Sequence, residues 1–177
     1  MSEFIKMQPL QTPIGELVIG VHEDEICLCD WKWRKKRAQI DLRIQKGLNA
    51  TFIHEEHDLH KECQFQLDEY FERKRNKFDL PIKMVGSAFQ KQVWEELQKI
   101  EFGTTISYLE LSKRLENEKA IRAVASANGA NAIAIIIPCH RVIGQDGALT
   151  GYAGGLSAKK KLLLTEGIRL SNQLELF

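Results

Sequence analysis

Residues 131–144 read NAIAIIIPCHRVIG and include the most apolar run of the chain. β-Branched residues favour buried strands, and four of them fill this run: Ile133, Ile135, Ile136 and Ile137. Pro138 lacks a backbone donor and fixes its own φ, so we expect the strand to end there. Cys139 would then be held firmly at the end of a buried strand.

A histidine follows this cysteine directly. The thiolate is the reactive form of cysteine, and an unperturbed thiol has a pKa of about 8.5, so Cys139 needs a proton acceptor. His140 is the nearest candidate. Neighbours in extended backbone point to opposite sides, which disfavours a direct pair. A water relay or a local bend is therefore required.

A carboxylate behind His140 would orient the ring, and Glu166 is the candidate. It stands in the stretch LLLTEG near the end of a helix predicted to begin at about residue 157. An acid beside three leucines is expected to be partly buried and to seek a partner. The alternative is that Glu166 balances Arg169 at a helix end, and charge pattern alone favours that interpretation.

The second half of the chain is predicted to be mainly helical. Ser87 and Gln90 form a capping-box pattern, as do Ser107 and Glu110, so two helices should begin there. A third short helix is expected over residues 119–128, ending before Gly129. The second and third helices, joined by RLENEKA, have the proportions of a helix-turn-helix.

The third predicted helix is unusual for its small side chains. We expect three of its residues to face the core, namely Ile121, Val124 and Ala125. Its outer face would then hold Arg122, Ala123, Ser126 and Ala127. One interpretation is that alanine is present simply because it favours helix; the alternative is that small residues let the helix enter a groove, with Arg122 as its one long side chain.

The first half of the chain alternates strand-like and helical segments. Strands are predicted over residues 16–21 and 26–31, with a third at about 49–54. Asp58 is expected to cap a helix that carries Leu59, Cys63, Leu67 and Phe71 at i+4 spacing. We therefore predict two domains, an α/β domain over residues 1–80 and a helical domain over residues 87–177.

Composition sets broad limits on function. The chain has 177 residues, 44% of them hydrophobic, and a net charge of +1, which predicts few phosphate contacts but does not exclude DNA. No signal sequence or run of membrane-spanning length is evident, so we expect a cytoplasmic protein with no membrane partner. Its four cysteines should then be reduced.

The segments IPCHRVIG, GALTGYAGGL and LLLTEG, together with FGTTISY and AIRAVASANGAN, resemble the O6-alkylguanine-DNA alkyltransferases. These DNA-protein cysteine methyltransferases repair alkylated guanine. The detailed resemblance covers about residues 87–169. The first half resembles the family's variable domain, a ribonuclease-H-like sheet with helices, more weakly.

The resemblance implies a role for each residue of the motif. Cys139 would accept the alkyl group permanently, His140 would act as its base through a water, and Glu166 would complete the relay. Asn131 matches an asparagine hinge between the DNA-binding helices and the active site. Tyr108 matches a tyrosine that donates to the guanine ring and assists rotation of the nucleotide.

The resemblance also implies how DNA is bound. Arg122 matches the arginine that fills the gap left by the flipped nucleotide, and the helix that carries it would occupy the minor groove. Its small residues would contact DNA there: Ala123, Ser126 and Ala127. The partner would be double-stranded DNA containing alkylated guanine, or an O4-alkylthymine lesion, bound by a monomer. No metal or organic cofactor is expected.

The guanine pocket is expected to comprise Pro138, Val142, Tyr152, Ala153 and Gly154. Two positions depart from the family pattern. Ala132 stands where many members have proline, which predicts a looser hinge. Ala153 replaces a serine found in some members, which leaves a backbone donor to contact O6.

Two further motifs are interpreted as structural. Three histidines in HEEHDLH, with Cys27 and Cys29, suggest a metal, but their spacing spreads them around a helix or loop. The basic run WKWRKKR at residues 31–37 has the composition of a nucleic-acid contact. We favour the interpretation that its tryptophans pack and its charges are solvated.

Three other functions remain open. A cysteine hydrolase could use the same cysteine, histidine and glutamate, and it would turn over. A non-catalytic lesion-binding protein is a second, although such relatives carry tryptophan at the cysteine position. A transcription regulator using the same helices is a third, although some such proteins have an additional metal-binding domain for which this chain has no room.

Overall fold

The N-terminal half of the chain is built on a four-stranded mixed sheet. The structure, a computed structural model, describes residues 3–170. The strands are β1 (Phe4–Thr12), β2 (Gly15–His22), β3 (Glu25–Trp31) and β4 (Thr51–His54), in the spatial order β3-β2-β1-β4. β1 and β2 pair antiparallel, as do β2 and β3, whereas β4 runs parallel to β1.

The strands expected over residues 16–21, 26–31 and 49–54 are confirmed as β2, β3 and β4. β1 was not predicted. Pro9 lies within it, and a proline normally argues against a central strand. The pairing with β4 ends at Met7, so beyond that point β1 is an edge and tolerates the missing donor.

Two helices complete this half, α1 (Arg37–Leu48) and α2 (Asp58–Phe71). The second is the helix predicted from Asp58, but its N-cap is His57. The His57 ring accepts from the backbone N–H of Leu59, and the His60 ring accepts in return from the backbone N–H of His57. The predicted cap is therefore wrong by one residue.

The C-terminal half is mainly helical. It contains α3 (Ala88–Leu97), α4 (Tyr108–Arg114), α5 (Ile121–Gly129) and α6 (Leu156–Thr165), with a 3₁₀ turn at Glu118–Ala120 before α5. Ser87 accepts from the backbone N–H of Gln90, and Ser107 accepts from that of Glu110, so both predicted caps are confirmed. Two short strands, β5 (Ile106–Ser107) and β6 (Val142–Ile143), pair in parallel.

The faces of α5 differ from the prediction at two residues. Val124 is fully buried as expected, but Ile121 is 37% exposed and Ala127 only 3% exposed. The helix begins at residue 121 rather than 119, and its core face turns toward α3, where Trp94 donates to the carbonyl of Ala127 at 2.8 Å. Placing Ala127 on the outer face was therefore wrong.

The apolar run at residues 131–144 is buried, but it is not a regular strand. Ile133 bridges to Cys29 and Ala134 to Ile137, with a tight turn between the last two. Ile135 has a φ of 70°, which is unusual for a β-branched residue. A side chain outside the turn stabilises it: Asn131 donates to the carbonyl of Ile137 at 2.9 Å. The predicted strand is thus replaced by a buried, side-chain-bonded turn.

A hydrophobic cluster with residues from both halves, among them Trp31 and Val124, joins the two halves. Backbone bonds join Cys29 of β3 to Ala132 and Ala134 at 2.8 and 2.7 Å. β3 therefore lies directly behind the segment that carries Cys139. Over residues 3–170, no helix has the length and hydropathy needed to cross a membrane.

Candidate active site

Cys139 begins a 3₁₀ turn, Cys139–Arg141, with Pro138 at its N-cap. A local bend, one of the two arrangements expected for the Cys139 and His140 pair, is therefore present directly after Pro138. The Cys139 side chain is largely buried, with 5% exposure, yet it lines an open cleft of about 1130 Å³. The thiol is thus shielded from bulk water but reachable from one side.

His140 and Glu166 form a short, fully buried contact. Nε2 of His140 lies 2.6 Å from Oε1 of Glu166, and neither side chain has measurable exposure. A carboxylate at Nε2 favours the tautomer with its proton on that nitrogen, which leaves Nδ1 as the acceptor. Within residues 3–170, Nδ1 is buried and has no hydrogen-bond partner. This nitrogen is therefore the one free to take a proton.

Glu166 accepts four hydrogen bonds from three residues in addition to its contact with His140. Arg141 donates to both of its oxygens, at 2.9 and 3.0 Å, Tyr70 donates its hydroxyl at 2.8 Å, and the backbone N–H of Gly103 donates at 3.1 Å. Arg169, the alternative partner, is exposed. The carboxylate is therefore fully bonded and oriented on His140.

The pKa values in this cluster follow from burial and bonding. Burial tends to raise the pKa of Glu166, but hydrogen bonds and charge from His140 and Arg141 outweigh it and lower the pKa to about 2. Burial lowers the pKa of His140, and the contact with Glu166 opposes that shift. At neutral pH the resting state is a neutral imidazole beside a carboxylate, which is suited to accept a proton.

The thiol of Cys139 is subject to opposing effects. Burial raises its pKa, whereas a hydrogen bond from Asn131 and the charge of Lys159 lower it. Burial is the largest of these effects, so the pKa of Cys139 stays above its ordinary value and the thiol is neutral in the resting protein. The thiolate must therefore form by transfer of the proton to a base.

Asn131 is buried and bonds to the cysteine segment at several points. In addition to its bond to Ile137, its Oδ1 accepts from the backbone N–H of Ile133 at 3.0 Å, and Nδ2 approaches the carbonyl of Ile133 at 3.4 Å. It stands directly after the C-terminus of α5. Asn131 therefore connects α5 with the segment that carries Cys139, and its role as a hinge stays a prediction.

Lys159 is a buried cation that the sequence analysis did not identify. Its ammonium donates to the carbonyls of Val142, Thr150 and Gly151, at 2.6, 3.2 and 3.3 Å. Burial lowers its pKa to about 8, and the proximity of Cys139 opposes the shift. It ties the loop before α6 to β6 and places a positive charge near the thiol.

Five of the predicted catalytic and pocket residues line one cleft: Tyr108, Cys139, Tyr152, Ala153 and Gly154. The Tyr108 hydroxyl donates to the carbonyl of Thr150, another residue of the cleft lining, at 3.3 Å. Pro138 and Val142, also predicted for the pocket, are buried behind Cys139 and do not line the cleft. They support the cysteine segment from within the core.

The N-terminal half contributes part of the cleft wall. Trp31, at the end of β3, donates its indole N–H to the Tyr152 hydroxyl at 3.3 Å. A Cβ at Gly154 would lie 2.6 Å from the Trp31 ring, so only glycine fits there. Gly154 therefore allows the Trp31 ring of the N-terminal half to approach the backbone closely.

On α5, Arg122, Ala123 and Ser126 are exposed, and Arg122 lines the cleft. No carboxylate of the described residues pairs with Arg122. The long cationic side chain therefore projects beside the opening that leads to Cys139.

Arg34 is the second cation that sequence reasoning missed. It lies in the basic run at residues 31–37, yet it is buried and contacts Asp30 at 3.3 Å. It also donates to the carbonyl of Asn131 at 2.9 Å and to that of Gly129. The prediction that the charges of this run are solvated is therefore wrong for Arg34. The sequence did contain a sign of this ion pair, because Asp30 lies four positions before Arg34.

Two of the three histidines considered for a metal, His57 and His60, have structural contacts, whereas His54 is exposed. His57 caps α2 and contacts Asp24 at 2.9 Å, and His60 contacts the carbonyl of Lys6 at 3.0 Å. Cys27 and Cys29 are buried free thiols. In the described part of the chain, no three potential ligands cluster closely enough to hold a metal.

Comparison with known families gives a match in each half. Residues 88–168 match "6-O-methylguanine DNA methyltransferase, DNA binding domain", and residues 5–84 match "6-O-methylguanine DNA methyltransferase, ribonuclease-like domain". The methylated-DNA–protein-cysteine methyltransferase of Methanosarcina acetivorans is 39% identical over 158 residues, which cover 89% of this chain and 95% of the relative. The constitutive Bacillus subtilis protein of the same name is 40% identical over 154 residues, covering 87% and 90%.

Solved structures give the same result. The O6-methylguanine methyltransferase of Mycobacterium tuberculosis superposes with a TM-score of 0.76 at 32% identity, covering 96% of this chain and 97% of the other. A second structure of the Mycobacterium tuberculosis protein, in complex with DNA, has a TM-score of 0.75 at 34% identity and covers 92% of both chains.

Proposed function

The chain belongs to the 6-O-methylguanine DNA methyltransferase family, and we propose that it transfers the alkyl group of O6-alkylguanine in duplex DNA to its own Cys139. The observation that carries this assignment is the arrangement of Cys139, His140 and Glu166. A thiol lines an open cleft, and a neutral histidine with one free buried nitrogen follows it on a turn. A fixed carboxylate lies behind that histidine.

The proposed chemistry is a displacement at an sp³ carbon. Cys139 loses its proton to Nδ1 of His140 through a water, and Glu166 stabilises the imidazolium that forms. The sulfur then attacks the alkyl carbon, the bond from that carbon to O6 breaks, and a thioether forms. The guanine leaves with the electron pair and takes a proton from the Tyr108 hydroxyl; Tyr108 then regains a proton from solvent, and the His140 imidazolium releases to solvent the one it took from Cys139. The thioether has no route back, so each molecule acts once.

Access to the base requires extrusion of the nucleotide. Guanine in a stack hides its O6 substituent, and flipping it costs a few kcal/mol, less for a damaged pair. Arg122 would fill the vacated space, while Ala123 and Ser126 on the exposed face of α5 would allow close approach to the minor groove. Ala127 is not assigned to this contact because it is buried.

Several finer features belong to this proposal. The antiparallel and parallel pairing of β1 to β4 supports a ribonuclease-H-like N-terminal fold, and the packing of α4 against α5 supports a helix-turn-helix. We place the domains at residues 1–80 and 87–177, of which residues 1, 2 and 171–177 lie outside the described residues. Repair of O4-alkylthymine, a monomeric state and a cytoplasmic location stay predictions.

Counting product against protein tests the assignment. An excess of duplex carrying one O6-methylguanine is incubated with the protein, and repaired strands are quantified by chromatography. We expect one repaired strand per protein molecule and then no further product. Continued product formation would identify a hydrolase and overturn the proposal.

Arg122→Ala tests the extrusion step. We expect repair of the duplex to slow by about tenfold or more, while transfer from free O6-alkylguanine base slows much less, because the free base needs no flipping. Lys161→Ala removes the same charge from the exposed side of α6 and is the control. An equal loss on both substrates would remove the proposed role of Arg122.

A further inference from the structure

Residues 32–36, KWRKK, form an exposed loop between β3 and α1, here called the Trp33 loop. The Trp33 side chain is 82% exposed, although its sequence neighbours Trp31 and Arg34 are buried. The prediction that both tryptophans pack is therefore wrong for Trp33. The Lys32 ammonium lies over the indole, 5.1 Å from the ring centroid, and most of the ring surface stays open to a flat partner.

The loop lies on the cleft that contains Cys139. Trp33, Lys35 and Lys36 line one side of this cleft, and Arg122 of α5 lines it as well. The cleft volume of about 1130 Å³ exceeds the roughly 300–1,000 Å³ typical of a site for one small ligand. The space beside Cys139 therefore extends beyond a single base, toward the N-terminal half.

Charge in and next to the loop is only partly neutralised. Three of the five cations at residues 32–37 pair with carboxylates: Lys32 with Glu16 at 3.0 Å, Arg34 with Asp30 at 3.3 Å, and Arg37 with Asp41 at 2.6 Å. The other two, Lys35 and Lys36, are exposed and have no carboxylate partner within residues 3–170. They leave two positive charges at the cleft rim.

The loop is anchored on both sides of Trp33. Trp31 is fixed by Tyr152 and by its close approach to Gly154. Arg34 is fixed by Asp30 and by the carbonyls of Gly129 and Asn131. These anchors limit the movement of Trp33 and reduce the entropy that it loses on binding.

We propose that the Trp33 loop is a second DNA contact, made by the N-terminal half. Trp33 stacks on a base that nucleotide extrusion leaves unstacked, and Lys35 and Lys36 pair with phosphates of the same duplex. Exposed indole rings and lysines are the groups that bind unstacked bases and backbone without sequence preference. The inference rests on the proposed function, since it places duplex DNA in the cleft.

Binding of a duplex with one O6-methylguanine, measured by fluorescence anisotropy over a salt series, tests the loop. Trp33→Ala is expected to weaken binding about fivefold or more, and Trp33→Phe to recover much of it because the ring is kept. The double variant Lys35→Ala, Lys36→Ala is expected to lower the slope of log affinity against log salt by about 1.8, because two phosphate contacts are lost.

Matched controls lie elsewhere on the N-terminal half. Phe65→Ala removes another exposed aromatic ring, and Lys46→Ala with Lys61→Ala removes two exposed lysines. All three sites lie outside the cleft, so these variants should bind as the wild type does.

The outcomes separate the two proposals. Wild-type affinity and salt slope in both loop variants, from a protein that does repair the duplex, would overturn the second contact alone. Failure of the wild-type protein to repair the duplex would instead overturn the proposed function. Equal weakening in the loop variants and the controls would show a non-specific charge or surface effect, and would also overturn the inference.

Discussion

Nε2 of His140 lies 2.6 Å from Oε1 of Glu166, and both side chains are fully buried. The two residues are 26 positions apart, so the contact depends on the packing of α6 against the 3₁₀ turn that carries Cys139. This pairing fixes which ring nitrogen holds a proton and which is free. Its consequences can be measured.

Glu166→Gln should slow alkyl transfer by about 100-fold or more, because the amide keeps the shape of the side chain but no longer stabilises the imidazolium. The measurement is a single-turnover rate with methylated duplex. Glu166→Asp retains the charge and is the control, expected to keep more activity than the amide. A Glu166→Gln protein within about twofold of the wild-type rate would contradict the relay.

The Glu166 carboxylate should make the free energy of unfolding depend on pH in the acidic range. The pKa of Glu166 is lowered from 4.5 to about 2 in the folded protein, so the unfolded chain binds its proton first. The stability that Glu166 contributes is fully present above about pH 4.5 and is lost as pH falls toward 2. Urea midpoints measured between about pH 5 and 3 should therefore fall less steeply in Glu166→Gln than in the wild type. Parallel curves would contradict this assignment.

Lys159→Met should raise the pKa of the Cys139 thiol, because the buried ammonium is one of the charges that lower it. The pH dependence of thiol alkylation by iodoacetamide measures this change, with the protein otherwise unreacted. Lys161→Met, on the exposed side of the same helix, is the control. An unchanged profile in Lys159→Met would show that the lysine acts only on the loop carbonyls.

Arg34→Met should destabilise the protein by about 3–5 kcal/mol, since it leaves the buried Asp30 without its cation. Burial already raises the pKa of Asp30, and loss of Arg34 removes an opposing charge. Adding Asp30→Asn to the variant should restore part of the loss, because no unpaired charge then remains buried. Urea denaturation of the single and double variants gives the comparison; strictly additive losses would argue against a coupled pair.

Local signals in the sequence predicted the parts of the fold that depend on neighbouring residues. Ser87 and Ser107 cap their helices because the capping hydrogen bond spans three residues. The strands β2 and β3 follow from their apolar runs and the charged turn between them. These features depend on residues close together in the sequence, so they can be predicted without knowledge of tertiary contacts.

The parts that could not be predicted depend on contacts between distant residues. The run at residues 131–144 has strand composition, but Asn131 and the backbone of Cys29 hold it in a turn, with Ile135 at positive φ. Arg34 sits in a run of exposed cations, and its burial follows from Asp30 and two carbonyls almost a hundred residues away. Pattern alone could not decide either case.

The candidate site shows the same division. The choice of Cys139, His140 and Glu166 rested on the motif and the resemblance; Cys139 lines the cleft and His140 contacts Glu166, and the roles of the three residues stay a proposal. Arg141 and Tyr70, which complete the shell around Glu166, were not predicted, although Arg141 directly follows His140. Tyr70 lies 96 positions from Glu166 and gave no signal in the sequence.

The central claim is that one sulfur keeps the alkyl group, and peptide mapping by mass spectrometry tests it most directly. After reaction with one equivalent of duplex containing O6-methylguanine, we predict a single methyl thioether on the peptide that holds Cys139. The peptides with Cys27, Cys29 and Cys63 should be unmodified, because those buried thiols do not line the cleft. Repaired DNA together with an unmodified Cys139, or with the methyl group on another residue, would contradict the account.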